Sequence, residues 1–340
     1  MTYEVRDITD KTTWDAFVTA HPEANFLQAW QWGEFHISRG KRVVRRGVFD
    51  GEALLGVYEG EVETAKRGRH LSIAGGPIVD WQNTEAVRAL VDDLRAQARK
   101  SKCVFVRVRP QLEKSDAAMA QFAKLGFRKA PMYLSVELAG VLDLTKPEEE
   151  LLKGMRQRLR RALRKAEKND ITVETTTDPA AIKEFYDIQL QTAGRQKFVA
   201  FSEDFFTKQF AAFASDNSAV LYTARHNGEV LAQNFMIFYG NEASYHYGVS
   251  TELGTRLSGA PLLHMQAMRD ARARGQTRYN FWGIVDEDDT KHRFYGVSVF
   301  KRGFGVSELR YVPAHDLVIH WPNYLKTYLI ETIRRKIRKV

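Results

Sequence analysis

The chain has 340 residues, 44% hydrophobic and 27% charged, with 51 Lys and Arg against 42 Asp and Glu, a formal charge of +9. That length fits two domains with real cores, and the cationic excess points to an anionic partner such as nucleic acid, a phosphorylated substrate or an anionic membrane. A single cysteine, Cys103, excludes a disulfide framework and any multi-cysteine metal site, and no apolar run is long enough to span a membrane or to open a secretory leader, so the expected home is cytoplasmic.

A short strand is predicted at 4–6, then a helix from Asp10 with Trp14, Phe17 and Val18 at helical spacing. The aromatic run 26–35 reads as a second helix packed on a sheet, with Trp30 and Phe35 in the core and Gln28 and Trp32 open between packing and function. Strands at 42–49 and 53–62 meet at Asp50-Gly51, a hairpin signal because glycine takes positive φ freely. Gly75-Gly76-Pro77 is a turn or strand end, 83–100 a polar helix, and 103–109 a strand stopped by Pro110. A helix at 115–124 ends at Gly126, and 131–144 returns as strand.

The order then recurs. Strands at 222–225 and 230–239 meet at Asn227-Gly228; 243–249 is a strand, 261–274 a helix and 278–282 a strand, with Gly303-Phe304 closing the series. Gly51 and Gly228, Phe105 and Trp282, and Gly126 and Gly303 are each 177 residues apart (228 less 51, for example), which indicates two copies of one fold. The expected class is α/β (α+β): a domain at 1–145 and a second at 146–312. The order within each, β-α-α-β-β-β-α-β-α-β, is similar to that of the GCN5-related acyltransferase (GNAT) fold.

The second domain opens with a basic helix at 147–170, acidic in its first turn as the helix dipole prefers. Leu151, Leu152, Met155, Leu159 and Leu163 form its apolar stripe, and Arg160, Arg161, Arg164 and Lys165 lie among the cations that offer a track for a phosphate backbone, or simply a solvated face. A second basic helix, within 313–340, carries Leu325, Tyr328, Leu329 and Ile333 beside Arg334, Arg335, Lys336, Arg338 and Lys339. It is expected to pack back on the first domain and to offer its basic end to anionic lipid or RNA.

The stretch 279–305 organises the site. Lys301, flanked by Phe300 and followed by Gly303, is placed to be partly desolvated, where a fixed cation acts strongly on a developing oxyanion. If this segment is extended, Arg302 faces the opposite side. The acids Asp286, Glu287, Asp288 and Asp289 lack metal-loop spacing and read as a solvated loop, and no metal is expected. No Gly-x-Ser-x-Gly elbow and no His-x₃-His pair occurs.

Several motifs in shared order carry a family likeness: 28–35 as an aromatic helix, Gly76-Pro77 followed by Asp80, Leu142-Asp143-Leu144 before the basic helix, Tyr245-His246-Tyr247-Gly248, 279–284, and Phe300-Lys301-x-Gly303-Phe304-Gly305. In these the chain resembles the Fem-type peptidoglycan bridge-forming aminoacyltransferases, the FemABX family, over nearly its whole length. A monomer is expected, with the basic C-terminal end offering peripheral contact at the inner face of the membrane. The resemblance implies transfer of an amino acid from aminoacyl-tRNA to an amine on the stem peptide of a UDP-linked or lipid-linked precursor, without coenzyme A. It implies Lys301 as the catalytic residue, Tyr247, Tyr245, Arg195, Trp32 and His36 at the substrate, and the basic helix at tRNA. Departures fall at Phe201 and Phe205, where the family often has Arg and Tyr, and at Arg109, where an acid often precedes the proline. The rival readings are a coenzyme A-dependent N-acyltransferase on another amine, and a non-catalytic binder of RNA or precursor. Arg256-Leu257-Ser258-Gly259-Ala260-Pro261 offers a pyrophosphate only one glycine, and Pro261 has no N–H.

Overall fold

The computed structural model describes residues 3–65, 68–196 and 200–338, with the side chains at 167, 195, 196, 336 and 338 outside that description. The chain forms two compact units, Met1–Leu138 with Leu309–Val340, and Ala139–Glu308.

The first unit runs β1 (Glu4–Asp7), α1 (Lys11–Ala20), a 3-10 turn at Phe26–Gln28, α2 (Trp30–Ser38), β2 (Arg42–Asp50), β3 (Ala53–Ala65), β4 (Gly68–Gly75), β5 (Ile78–Val79), α3 (Thr84–Lys100), β6 (Phe105–Pro110), α4 (Asp116–Lys124) and β7 (Phe127–Lys129). Local chemistry sets many of the ends. The side chains of Asp10, Asn83 and Ser115 accept from the first-turn N–H groups of α1, α3 and α4, and Gly51 takes φ +57° at the β2–β3 turn. The aromatic run is a 3-10 turn followed by a helix rather than one helix. Gln28 is buried there, donating to the carbonyls of Glu59 and Ala74 and accepting from the Glu59 N–H, which makes it a packing residue.

The second unit has β8 (Leu138–Asp143), α5 (Glu148–Gly154), α6 (Gln157–Glu167), β9 (Thr172–Thr176), α7 (Ile182–Gln196), α8 (Glu203–Ala214), β10 (Ala219–His226), β11 (Glu229–Tyr239), β12 (Glu242–Ser250), α9 (Glu252–Leu257), α10 (Gly259–Ala273), β13 (Arg278–Gly283), α11 (Tyr295–Arg302) and β14 (Ser307–Arg310). Then β15 (His315–Val318) and α12 (Trp321–Arg338) return to the first unit.

The sheets are ordered β1-β2-β3-β4-β6-β15-β7, with β5 on β3, and β14-β8-β13-β12-β11-β10-β9. Each contains a parallel pair, β4 with β6 and β12 with β13, reached by a helical crossover through α3 or α10. Each is also completed by a strand distant in sequence. β15 lies between β6 and β7, and β8 lies between β13 and β14. The strand at 138–143 thus joins the second sheet, Val141 opposite Asn280. The units meet in sequence at 138/139 and 308/309, before the 145 and 312 expected.

Two further expectations change. The helix at 147–170 is two helices, because at Met155–Arg156 the backbone leaves the helix and the Arg156 N–H bonds the Gly303 carbonyl at 2.8 Å. The constant offset of 177 holds at the hairpin glycines but drifts, from 173 for the starts of β6 and β13 (105 to 278) to 179 for α4 and α11 (116 to 295). The positive-φ partner of Gly126 is accordingly Gly305, not Gly303.

The first core gathers Val44, Tyr58, Leu71, Leu94, Val106 and Leu317, the second Tyr222, Leu231, Met236, Leu263, Tyr279 and Phe304 together with Leu159 and Leu163 of α6. Among the described residues no helix is long and apolar enough to cross a membrane.

Candidate active site

In the second unit β12 and β13 pair at three positions only, Glu242↔Arg278, Ala243↔Tyr279 and Ser244↔Asn280, and beyond these the parallel ladder stops. Irregularities follow on both strands. On β12 the register against β11 shifts so that Tyr245 opposes Met236 and Tyr247 opposes Phe235, leaving His246 as an extra residue. On β13 the pairing with β8 breaks after Asn280, and Trp282 takes φ +64°. A left-handed tryptophan costs roughly 1–3 kcal/mol and persists only where its surroundings hold it. Here the Asn280 Oδ1 accepts the Trp282 N–H at 2.8 Å, and the Asn280 Nδ2 donates to buried Glu242 at 3.1 Å.

The next carbonyl, that of Gly283, accepts from Lys301 Nζ at 2.7 Å. Lys301 is on the last turn of the helix α11, not on a closing strand. Ser298, Lys301 and Arg302 fall on its buried side at i, i+3 and i+4. Lys301 and Arg302 are therefore both buried rather than facing opposite ways, and they separate by partner. Arg302 donates to the Val285 carbonyl at 2.6 Å and to Glu308 at 2.7 Å, pinning the loop, while the Lys301 ammonium lies 5.5 Å from the Tyr245 ring centroid. The acids 286–289 lie on the loop between β13 and α11, where Glu287, Asp288 and Asp289 are exposed.

The bulge at His246 decides which tyrosine shares this place. Two residues apart on a regular strand, Tyr245 and Tyr247 would share a face. With one residue inserted they part. The Tyr245 ring meets His264 of α10 at 4.5 Å, whereas the Tyr247 ring meets Phe206 of α8 at 5.0 Å. Tyr245, not Tyr247, is the phenol beside Lys301. Gly248 makes its seat, since a Cβ there would lie 1.8 Å from the Tyr245 hydroxyl oxygen.

Burial pushes the Lys301 amine down to about 7. Burial, helped by the charge of Lys301, holds His264 neutral at about 3, and burial raises Tyr245. His264 Nδ1 lies 2.8 Å from the Tyr279 hydroxyl, and its Nε2 is buried without a hydrogen-bond partner. The result is a buried lysine beside the Tyr245 ring, its amine held near neutrality by burial. Such a group stabilises an oxyanion when charged and accepts a proton when neutral.

The remaining expected residues lie elsewhere. Arg195 is near the end of α7, its side chain outside the described residues. Phe201 stacks on Phe205 at 4.2 Å, and both meet Phe206, so an aromatic ladder leads to Tyr247 where the family often has a cation and a phenol. On α6, Arg161, Arg164 and Lys165 lie on the solvent side, whereas Arg160 bonds the Lys153 carbonyl at 2.8 Å and caps α5.

In the first unit Trp32 is half-buried against Phe26 and His36. His36 is buried and held neutral at about 3 by burial and by Arg39 and Lys41, so it brings no charge to an anion. It groups with Glu61 and Glu63 as a three-donor set of the kind a metal would need, within 4.8 Å, but Lys41 already sits 2.6 Å from Glu63 and fills the cationic place. Arg109 is fully buried, stacked over Tyr311 and bonded to Gln111, and serves packing. At the α10 start, a Cβ on Gly259 would meet the Leu231 side chain at 2.7 Å, so that glycine serves close packing on β11.

Sequence reasoning did not single out His264, Asn280 or Gly248. Gly248 and Asn280 each lay within a run that carried the likeness, the Tyr-x-Tyr-Gly run and 279–284, whereas His264 had no signal.

A model of the FemAB family matches residues 9–229 and 222–331. The lipid II:glycine glycyltransferase of Staphylococcus aureus (strain USA300) is 24% identical over 402 aligned positions, covering 96% of this chain and 94% of the relative. The solved structure of FemX superposes with a TM-score of 0.86 at 23% identity, over 96% of this chain and all of that one. A tandem GNAT protein from the clavulanic acid biosynthesis pathway superposes at 0.58 and 14% identity, over 94% and 99%. The fold is thus two GNAT-like domains.

Proposed function

The chain belongs to the FemAB family, and from that premise we propose that this transferase moves an amino acid from aminoacyl-tRNA to an amine on the stem peptide of a lipid-linked peptidoglycan precursor. The observation that carries the reading is Lys301: a buried amine, bonded to the Gly283 carbonyl, where the paired strands part. In the reaction the acceptor nitrogen attacks the ester carbonyl. The C–N bond forms, the carbonyl oxygen takes up negative charge, and collapse breaks the C–O bond to the ribose. The proton shed by the amine goes to the leaving ribose oxygen. A buried lysine in its charged form lowers the energy of that oxyanion more than it lowers the ground state. The Tyr245 ring lies beside that lysine. The cations Arg161, Arg164 and Lys165 on α6 provide phosphate contacts for the tRNA.

The test uses labelled aminoacyl-tRNA with lipid-linked or UDP-linked precursor, and labelled acetyl-CoA as the control donor. Label reaching the precursor from tRNA supports the reading, and label moving only from the thioester overturns it. Binding without turnover, with both acceptors and charged tRNA present, also overturns it.

A further inference from the structure

Helix α12 lies on the first unit inside out. Its packed face is polar: Tyr324, Thr327 and Glu331 are buried, Tyr324 donates to Asp316 at 3.0 Å, and Arg107 bridges Asp316 and Glu331 at 2.7 and 2.8 Å. The apolar residues expected to pack inward face solvent instead. Trp321, Leu325, Leu329, Ile333 and Ile337 recur every four residues, and Leu329 and Ile337 are 61% and 75% exposed. Spacing of four draws one ridge along a helix. A soluble helix does not ordinarily leave such a ridge uncovered.

The charges around the ridge say what covers it. Glu331 is the one acid in 321–338, and it is buried on Arg107. Lys326, Arg334 and Arg335 on the helix are exposed, as are Arg99, Lys102 and Arg128 nearby, with the Arg128 guanidinium 5.1 Å from the Trp321 ring centroid and 5.7 Å from that of Tyr328. A ridge of large apolar groups with an aromatic at one end, edged by cations and by no exposed acid of its own helix, fits the boundary of an anionic bilayer. A second copy of the chain would bring the same cations against these.

We propose that α12 is an interfacial membrane helix whose Trp321–Ile337 ridge enters the headgroup and acyl boundary of an anionic lipid surface. The Arg107–Asp316–Glu331 network holds the helix flat on its own unit, so the ridge is presented ready-made and insertion requires no unfolding. This goes beyond the transfer reaction and does not depend on it.

The experiment is co-sedimentation of the full chain with vesicles of phosphatidylcholine alone and with one-third phosphatidylglycerol, at two salt concentrations. Trp321 emission is read as wild type minus Trp321→Phe. The expected result is binding to the anionic vesicles, a blue-shifted Trp321 signal, and loss of at least roughly tenfold in partitioning for Leu329→Glu/Ile333→Glu. Lys326→Glu should weaken binding several-fold at low salt only, a cation near the surface being worth about fivefold. These side chains are exposed, so the variants are expected to keep the wild-type circular dichroism and unfolding midpoint. Equal binding by the double variant, no binding to anionic vesicles, or a dimer in sedimentation equilibrium that the double variant dissolves would each overturn the proposal.

Discussion

Replacing Lys301 by Met should make the protein more stable and inactive at once. In the unfolded chain this lysine titrates near 10.5, in the folded one at about 7, a difference worth about 5 kcal/mol. The sign follows from proton counts. Between pH 7 and 10.5 the unfolded chain holds the proton that the folded chain has lost, so stability rises with pH across that window. Below pH 7 both forms are charged and the whole penalty applies. Methionine fills nearly the same space without charge, but forfeits the hydrogen bond to Gly283, worth about 1.5–3 kcal/mol for a charged donor. At about pH 6 the variant should therefore be more stable by about 2–3 kcal/mol, read from urea midpoints. The gap should close and reverse toward about pH 10. Single-turnover transfer should fall roughly 10²–10³-fold, as on loss of one oxyanion donor, and Lys301→Arg should restore little of it, a planar fork replacing a compact ammonium. A wild-type–variant stability difference that does not move with pH would show that Lys301 is not desolvated. Near-normal transfer by the variant would remove it from the chemistry.

Charge reversal at Arg161, Arg164 and Lys165 should lower tRNA affinity in filter binding, with unchanged unfolding. Its salt dependence should flatten by about 0.9 in log–log slope for each duplex phosphate no longer neutralised. Arg160→Ala should instead shift the unfolding midpoint, because that side chain caps α5. Gly248→Ala should displace the Tyr245 ring, since its Cβ would overlap the hydroxyl. Expected are a loss of about 1–3 kcal/mol in denaturant unfolding and a fall in turnover. Both should be relieved in part by adding Tyr245→Phe, and absence of that coupling would separate Gly248 from the site.

What was legible in the sequence was mostly local. Asp10, Asn83 and Ser115 cap their helices because a side-chain oxygen reaches a first-turn N–H without help from the rest of the fold. Asn227 and Gly228 take positive φ because the tight turn demands it. The recurrence of element order was visible for the same reason, and the likeness around Phe300-Lys301 pointed to the amine that the fold buries beside Tyr245. Local signals failed where burial overrode them. The glycine and β-branched residues of 295–302 suit a strand as well as a helix, and the packing of Ser298, Lys301 and Arg302 selects the helix.

The sequence by itself determined two copies of one fold, a lysine among aromatics, and two basic amphipathic segments. Tertiary structure decided the rest. Pairing β12 with one residue too many for β11 sends Tyr245 and Tyr247 to opposite faces, which a strand's own alternation cannot report. Sheet completion by β8 and β15 joins residues far apart in the chain, because an open edge is satisfied by whichever strand is near in space. α12 turns its polar side inward, where Glu331 adds a partner to the buried Arg107–Asp316 pair and Tyr324 donates to Asp316, and satisfying that buried charged network with the helix's polar side leaves its apolar ridge in water.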